Sequence, residues 1–105
     1  MLDLGLTGKV AIVTGGSEGL GRATAMRLAQ EGGRVVICAR RKDVLERAAE
    51  AIRKETGVQL LAQVADVTRP ADVEAVVNAT LGAYGGVDIL ADEVPALFTR
   101  MSTPP

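Results

Sequence analysis

Apolar and polar positions alternate in blocks along the chain. The run KVAIVTG (9–15) is short, apolar and β-branched, and reads as a buried strand. GLGRATAMRLAQEGG follows, with Leu20, Ala23, Thr24 and Leu28 at helical spacing and Gly32-Gly33 as its stop. RVVICAR (34–40) reads as a second strand. KDVLERAAEAIRKETG (42–57) reads as an amphipathic helix whose stripe is Val44, Leu45, Ala48, Ala49 and Ile52, stopped by Gly57. VQLLAQVADV (58–67) is a third strand. RPADVEAVVNATLGAYGG (69–86) is a third helix, with Pro70 near its start and Val73, Val76, Val77 and Leu81 expected inward. VDIL (87–90) is a fourth strand.

This βαβαβαβ order predicts parallel strands joined by crossover helices, hence an α/β fold. Near-continuous apolar strands fit a sheet covered on both faces. With right-handed crossovers, a Rossmann-type parallel sheet of four strands in the order 3-2-1-4 is expected, because the glycine-rich turn after the first strand then lies at the switch point. Residues 1–90 form this half-domain and 91–105 a separate tail. In the tail, Val94, Leu97, Phe98 and Met101 fall at i, i+3, i+4 and i+7, with Pro95 in the first turn. That spacing fits a short helix; a frayed terminus is the other reading. Without a fifth strand, the fourth would be an exposed edge, open to self-association.

Composition narrows the chemistry. The chain has 105 residues, 48% of them apolar and 24% charged, which suits one small globular domain. The net charge of −1 lacks the basic excess of a nucleic-acid binder. No eighteen-residue apolar run predicts a membrane span, and no basic-then-apolar start predicts a signal peptide, so a cytoplasmic location is expected. There is no histidine, which removes Ser-His and Cys-His catalysis. The single Cys38 sits in an apolar strand and reads as a small buried hydrophobe.

The candidate site is TGGSEGLGRATA (14–25). Gly15, Gly19 and Gly21 make G-x-x-x-G-x-G between a strand and a helix. Glycines there permit the turn and a close ligand approach, and the helix start presents free N–H groups to a phosphate. The strand before and the helix after favour a phosphate cradle over a merely tight turn. The Gly-Lys-Ser/Thr of a P-loop is absent.

LTGKVAIVTGGSEGLGRATAMRLAQEG resembles the opening of the short-chain dehydrogenases/reductases, most nearly their 3-oxoacyl-(acyl carrier protein) reductase type. The likeness continues through VVICARRKDVLERAAEAI, VADVTRPADVEAVV and YGGVDIL, and so runs from residue 4 to about residue 90. It implies a dinucleotide held by Gly15, Ser17, Glu18, Gly19, Leu20 and Gly21. It also implies that Asp66 and Val67 border the adenine, Asp66 accepting from the adenine amino group; a turn or helix-cap role for Asp66 is compatible with this. Where NAD-dependent relatives carry an acid, this chain has Ala39, followed by Arg40 and Arg41. A guanidinium suits a 2′-phosphate, so NADP(H) is expected over NAD(H), with Arg40 the main clamp and Ser17 a helper. Glu18 argues the other way, and the two arginines also read as a solvated helix start.

The resemblance stops after VDIL. Asp92 and Glu93 stand where the family has two asparagines. The family's catalytic serine and Tyr-x-x-x-Lys have no counterpart: Tyr84 is the single tyrosine, and Asp88 lies four residues on. No catalytic residue is therefore carried over. The expectation is the cofactor-binding half of such an enzyme, inactive alone, whose origin is a truncated gene, an internal deletion or a natural short protein. The alternatives are a non-enzymatic nucleotide-binding or interaction module and a non-functional gene product.

Overall fold

A row of β-branched residues becomes the middle of a sheet. In the computed structural model, which describes residues 5–15, 19–91 and 98–100, Val10–Thr14 (β1) is buried throughout. Around it lie α1 (Gly19–Gln30), β2 (Arg34–Ala39), α2 (Lys42–Thr56), β3 (Leu61–Val64), α3 (Pro70–Tyr84), β4 (Ile89–Ala91) and β5 (Phe98–Arg100). The sheet order is β3-β2-β1-β4-β5. The first four strands are parallel, in the expected 3-2-1-4 order of a Rossmann-like sheet.

Alternation along the strands sends successive side chains to opposite faces. Ala11, Val13, Val35 and Ile37 pack with Ala25, Leu28, Leu45 and Ile52 of α1 and α2. Ile12, Val36 and Cys38 form the other layer with Ala65 and Val76. Glycines stop α2 and α3: Gly57 (φ 70°) and Gly85 (φ 80°) take the left-handed conformation and donate N–H to the carbonyls of Arg53 and Leu81.

The structure departs from the sequence pattern in four places. First, α1 buries Gly21, Ala25, Leu28 and Ala29, while Leu20 is exposed. A face of small residues brings the helix close to the sheet and turns the larger Leu20 away. Second, α3 buries Val76 and Thr80, leaving Val73 and Leu81 exposed. The Thr80 hydroxyl donates to the Val76 carbonyl at 2.7 Å, so a polar group is satisfied within the helix and can face inward. Third, β3 is shorter than the apolar run that predicted it, because 58–60 and 65–67 lie outside the ladder.

Fourth, Phe98–Arg100 pair antiparallel to β4, Leu90 opposite Thr99, so these residues are strand and not helix. Pairing satisfies backbone groups along β4 that would otherwise form a bare edge. The expectation that β4 is exposed for self-association is thereby overturned. The other positions of the expected helix, Val94, Leu97 and Met101, lie outside the described residues.

Candidate functional site

The carboxyl ends of β1, β2 and β3 open into a cleft of about 580 Å³, a volume that suits a small-molecule ligand. Each strand delivers one part of it. After β1 come Gly15, Leu20 and Gly21; at the end of β2, Ala39, Arg40 and Arg41; after β3, Asp66, Val67 and Thr68.

Gly15 sets the first turn. Its φ of 66° is open to glycine at little cost, and its N–H still donates to the Cys38 carbonyl at 2.9 Å. The chain therefore leaves β1 sharply while staying tied to β2. Gly19 has φ 55° and begins α1, whose first-turn N–H groups have no helical acceptor. Ser17 and Glu18 lie outside the described residues.

Arg40 and Arg41 are exposed at the cleft wall. Among the described residues neither is in an ion pair. Arg41 also opens α2: its extended backbone (φ −100°) precedes the helix and its carbonyl accepts the Leu45 N–H at 2.9 Å. The helix-start role and the place in the cleft thus coexist.

Asp66 is organised by its own loop. One carboxylate oxygen accepts the Thr68 N–H at 2.9 Å and the Thr68 hydroxyl at 2.6 Å. The other lies 4.0 Å from Nε of Arg69. The Asp66 N–H donates to Asp72 at 2.9 Å. These contacts make the turn expected of an aspartate at this position. The Thr68 hydroxyl and then its N–H hold the Asp66 carboxyl below the usual carboxylate range, with smaller help from Arg40 and Arg69 and against some desolvation. The carboxylate is thus an acceptor at neutral pH. Thr68, Arg69 and Asp72 were not singled out in the sequence; the T-R-P-A-D spacing after Asp66 is the helix-start signal that could have found them.

Tyr84 is remote from this cleft. Its ring lies 5.9 Å from the Arg34 guanidinium, at the start of β2, whereas the cleft opens at the opposite end of that strand. Cys38 is buried, as its apolar surroundings predict. Among the described residues no group of His, Cys, Asp and Glu could hold a metal ion, and no helix is long and apolar enough to cross a membrane.

Residues 9–97 match the family model described as short chain dehydrogenase. The chain belongs to the short-chain dehydrogenase/reductase family. Within that family it is 42% identical over 85 residues to dehydrogenase/reductase SDR family member 4 of Oryctolagus cuniculus, covering 81% of this chain and 32% of that protein. The structure of L-sorbose reductase from Gluconobacter frateurii, complexed with NADPH and L-sorbose, superposes with a TM-score of 0.81 at 43% identity, over 85% of this chain and 34% of that one. NAD+-bound xylitol dehydrogenase superposes with a TM-score of 0.76 at 36% identity, over 81% and 32%. The chain thus spans about a third of the length of these relatives. Their variety does not single out the 3-oxoacyl reductase type within the family, and both nicotinamide cofactors occur among them.

Proposed function

We propose that this chain binds NADP(H) and contributes the cofactor-holding part of a carbonyl-reducing short-chain dehydrogenase/reductase. The observation that carries the reading is the pair Arg40 and Arg41, on the cleft wall and outside any ion pair among the described residues, directly after Ala39. No carboxylate stands at that strand end to repel a 2′-phosphate, and a guanidinium pairs with phosphate strongly. The residues present fit the dinucleotide: Gly15 and Gly19 adopt the positive φ of a cradle, and Asp66 is held as a carboxylate. When bound, the cofactor supplies a hydride for a carbonyl carbon such as that of a 3-oxoacyl group.

In this reading the N–H groups at the start of α1 receive the pyrophosphate, with Gly15, Ser17, Glu18, Gly19, Leu20 and Gly21 around it. Arg40 clamps the 2′-phosphate and Arg41 supports it. Asp66 and Val67 border the adenine. In this reading Tyr84, the single tyrosine, does not supply the proton, since it sits at the far end of the sheet from the cleft, and the chain by itself does not turn over. That last point equally favours a second reading, a nucleotide-binding module with no catalytic role. A cytoplasmic location fits both. Self-association through a sheet edge would use β3 or β5, the outer strands among the described residues.

A thermal-shift titration with NADPH, NADH and ADP-ribose tests the proposal. A ligand that binds the folded state alone must raise the melting temperature. NADPH should stabilise saturably and well above NADH, and Arg40→Ala should erase that preference. Equal responses to NADPH and NADH would refute the assignment of Arg40. Carbonyl-dependent oxidation of NADPH by the pure chain would overturn the absence of turnover.

A further inference from the structure

We propose that the free edge of β3 pairs with the same edge of a second copy of this chain, in an antiparallel two-fold contact centred on Gln63. β3 is the outer strand on one side of the sheet among the described residues. Its parallel pairing with β2 sets which backbone groups point inward. Val36 is level with Leu61 and Ala39 with Val64, and the Ala65 N–H donates to the Ala39 carbonyl at 2.9 Å. Backbone direction alternates along a strand, so Leu61, Gln63 and Ala65 turn their N–H and C=O toward β2. Leu60, Ala62, Val64 and Asp66 turn theirs outward.

The chain closes both ends of this outward row itself. The Leu60 carbonyl accepts from the Arg53 guanidinium at 2.9 Å. The Asp66 N–H donates to Asp72 at 2.9 Å, and the Asp66 carbonyl accepts the Arg69 N–H at 2.9 Å. Between these ends, the outward N–H and C=O of Ala62 and of Val64 have no partner among the described residues. Two donors and two acceptors remain, placed symmetrically about Gln63.

A second copy supplies the matching set. Turned antiparallel about Gln63, it sets the partner's Val64 opposite Ala62 and the partner's Ala62 opposite Val64, and these pairs exchange four N–H···O=C bonds. Gln63 then faces the partner's Gln63 in the non-hydrogen-bonded position, where side chains come closest. A primary amide carries donors and an acceptor, so this pair is complementary to itself. Residues 58–65, VQLLAQVA, contain no charge, proline or glycine. Edges are ordinarily guarded by charge or proline, lysine above all, and here no like charge meets its copy across the axis. Val64 is 45% exposed and gains an apolar neighbour in the partner's Ala62. An unrelated extended peptide would meet the same four groups. What favours the copy is that its own row is closed at the same two points and so matches in length.

The contact is isologous and closes on itself as a dimer. The sheet runs continuously through both copies, with their clefts at its opposite ends. The residues after β3 stay outside the pairing. Thus 2′,5′-ADP, the part of NADP(H) that carries the 2′-phosphate, is neither required for it nor excluded by it.

Sedimentation velocity of the 105-residue chain tests the pairing. A contact this short belongs at the weak end of protein association, so the dimer should appear between about 10 μM and about 1 mM. Gln63→Lys sets two ammonium groups opposite each other and should weaken association at least about tenfold. Gln63→Glu should do the same with two carboxylates. An equimolar mixture of the two variants should recover the dimer, because opposite charges then face across the axis. Misfolding of either variant would not give that recovery. Ala62→Pro removes one outward N–H while leaving the ladder to β2 intact, and should also weaken the dimer. A wild-type chain that stays monomeric throughout that range would overturn the proposal. So would a dimer that Gln63→Lys and Gln63→Glu leave intact, or a mixture that associates no better than either variant alone.

Discussion

The Asp72 carboxylate, in the first turn of α3, accepts the backbone N–H of Asp66 at 2.9 Å. It thereby locks the loop after β3 against the helix that follows. Asp66 in turn spends one carboxylate oxygen on Thr68, leaving the second near Arg69. A residue outside the cleft lining thus fixes the backbone of a residue within it. Asp72→Ala should lower stability by about 1–2 kcal/mol, through one charge-assisted bond and a favourable helix-end charge. Affinity for 2′,5′-ADP should fall with it. Asp72→Asn keeps an acceptor and should retain most of both, as denaturant melts and titration of the two variants would reveal.

The same loop fixes the acid behaviour of the site. The carboxyl of Asp66 is lowered, chiefly by the Thr68 hydroxyl and then by its N–H. For a carboxyl whose folded pKa lies below its unfolded one, the linked stability is present above the unfolded value. It is lost as pH falls through the folded value. Asp66 therefore stays charged throughout the range from pH 8 to 5. A ligand's 2′-phosphate titrates near pH 6 by analogy with other phosphomonoesters. Binding of NADP+ should accordingly weaken as pH drops from about 7 to 5, and Asp66→Asn should bind more weakly with the same profile. A profile that flattens in Asp66→Asn would assign the titration to Asp66 instead.

How far the sequence could be read depends on which forces a pattern of apolar and polar letters records. The parallel order was legible because each strand is a dense apolar run bounded by glycine or a helix. α2 was legible because its large residues Leu45 and Ile52 are also the buried ones. α1 and α3 were legible as helices but not as faces. Close approach in α1 is set by Gly21, Ala25 and Ala29, which carry little hydrophobic signal. In α3 an internally bonded Thr80 outcompetes Val73 and Leu81 for the buried side. Arg40, Arg41 and Asp66 were named through the family resemblance, and the ends of the parallel strands bring all three to one cleft. The hold of Asp72 on Asp66 was not, since it exists only once the loop has closed. The strand at Phe98–Arg100 was hidden because helical spacing of apolar residues says nothing about an available strand edge.

Two glycines should respond to alanine in opposite directions. A Cβ on Gly33 would sit 2.9 Å from the Leu28 carbonyl oxygen, which already accepts the Gly33 N–H at 2.9 Å. The obstacle is backbone at the end of α1, so it cannot rotate away. Gly33→Ala should cost about 1–3 kcal/mol by overpacking. Gly82 lies in α3 with nothing within 4 Å of its Cβ position. Gly82→Ala should stabilise the chain by about 0.5–1 kcal/mol through helix propensity and a less flexible unfolded state. Chemical denaturation of both variants tests the pair, and a stabilising Gly33→Ala would contradict the packing at that turn.

Asp88 and Val10 make a reciprocal pair at the opposite end of the sheet. The Asp88 carboxylate accepts the Val10 N–H at 2.9 Å, and the Asp88 N–H donates to the Val10 carbonyl at 2.8 Å. Val10 opens the central strand and is buried, so its N–H depends on that carboxylate for a partner. Asp88→Ala would leave a buried donor unsatisfied, which costs about 1–3 kcal/mol. It would also loosen the seating of β4, whose register with β1 begins one residue later at Ala11 and Ile89. The cleft lies at the far end of these strands, so 2′,5′-ADP affinity measured well below the melting temperature should be nearly unchanged. Hydrogen exchange at the Val10 amide should accelerate strongly in Asp88→Ala and much less in Asp88→Asn, which keeps a carbonyl acceptor. Equal protection in all three proteins would mean that water can replace the carboxylate, and that the first turn of the β1–β4 ladder stands without it.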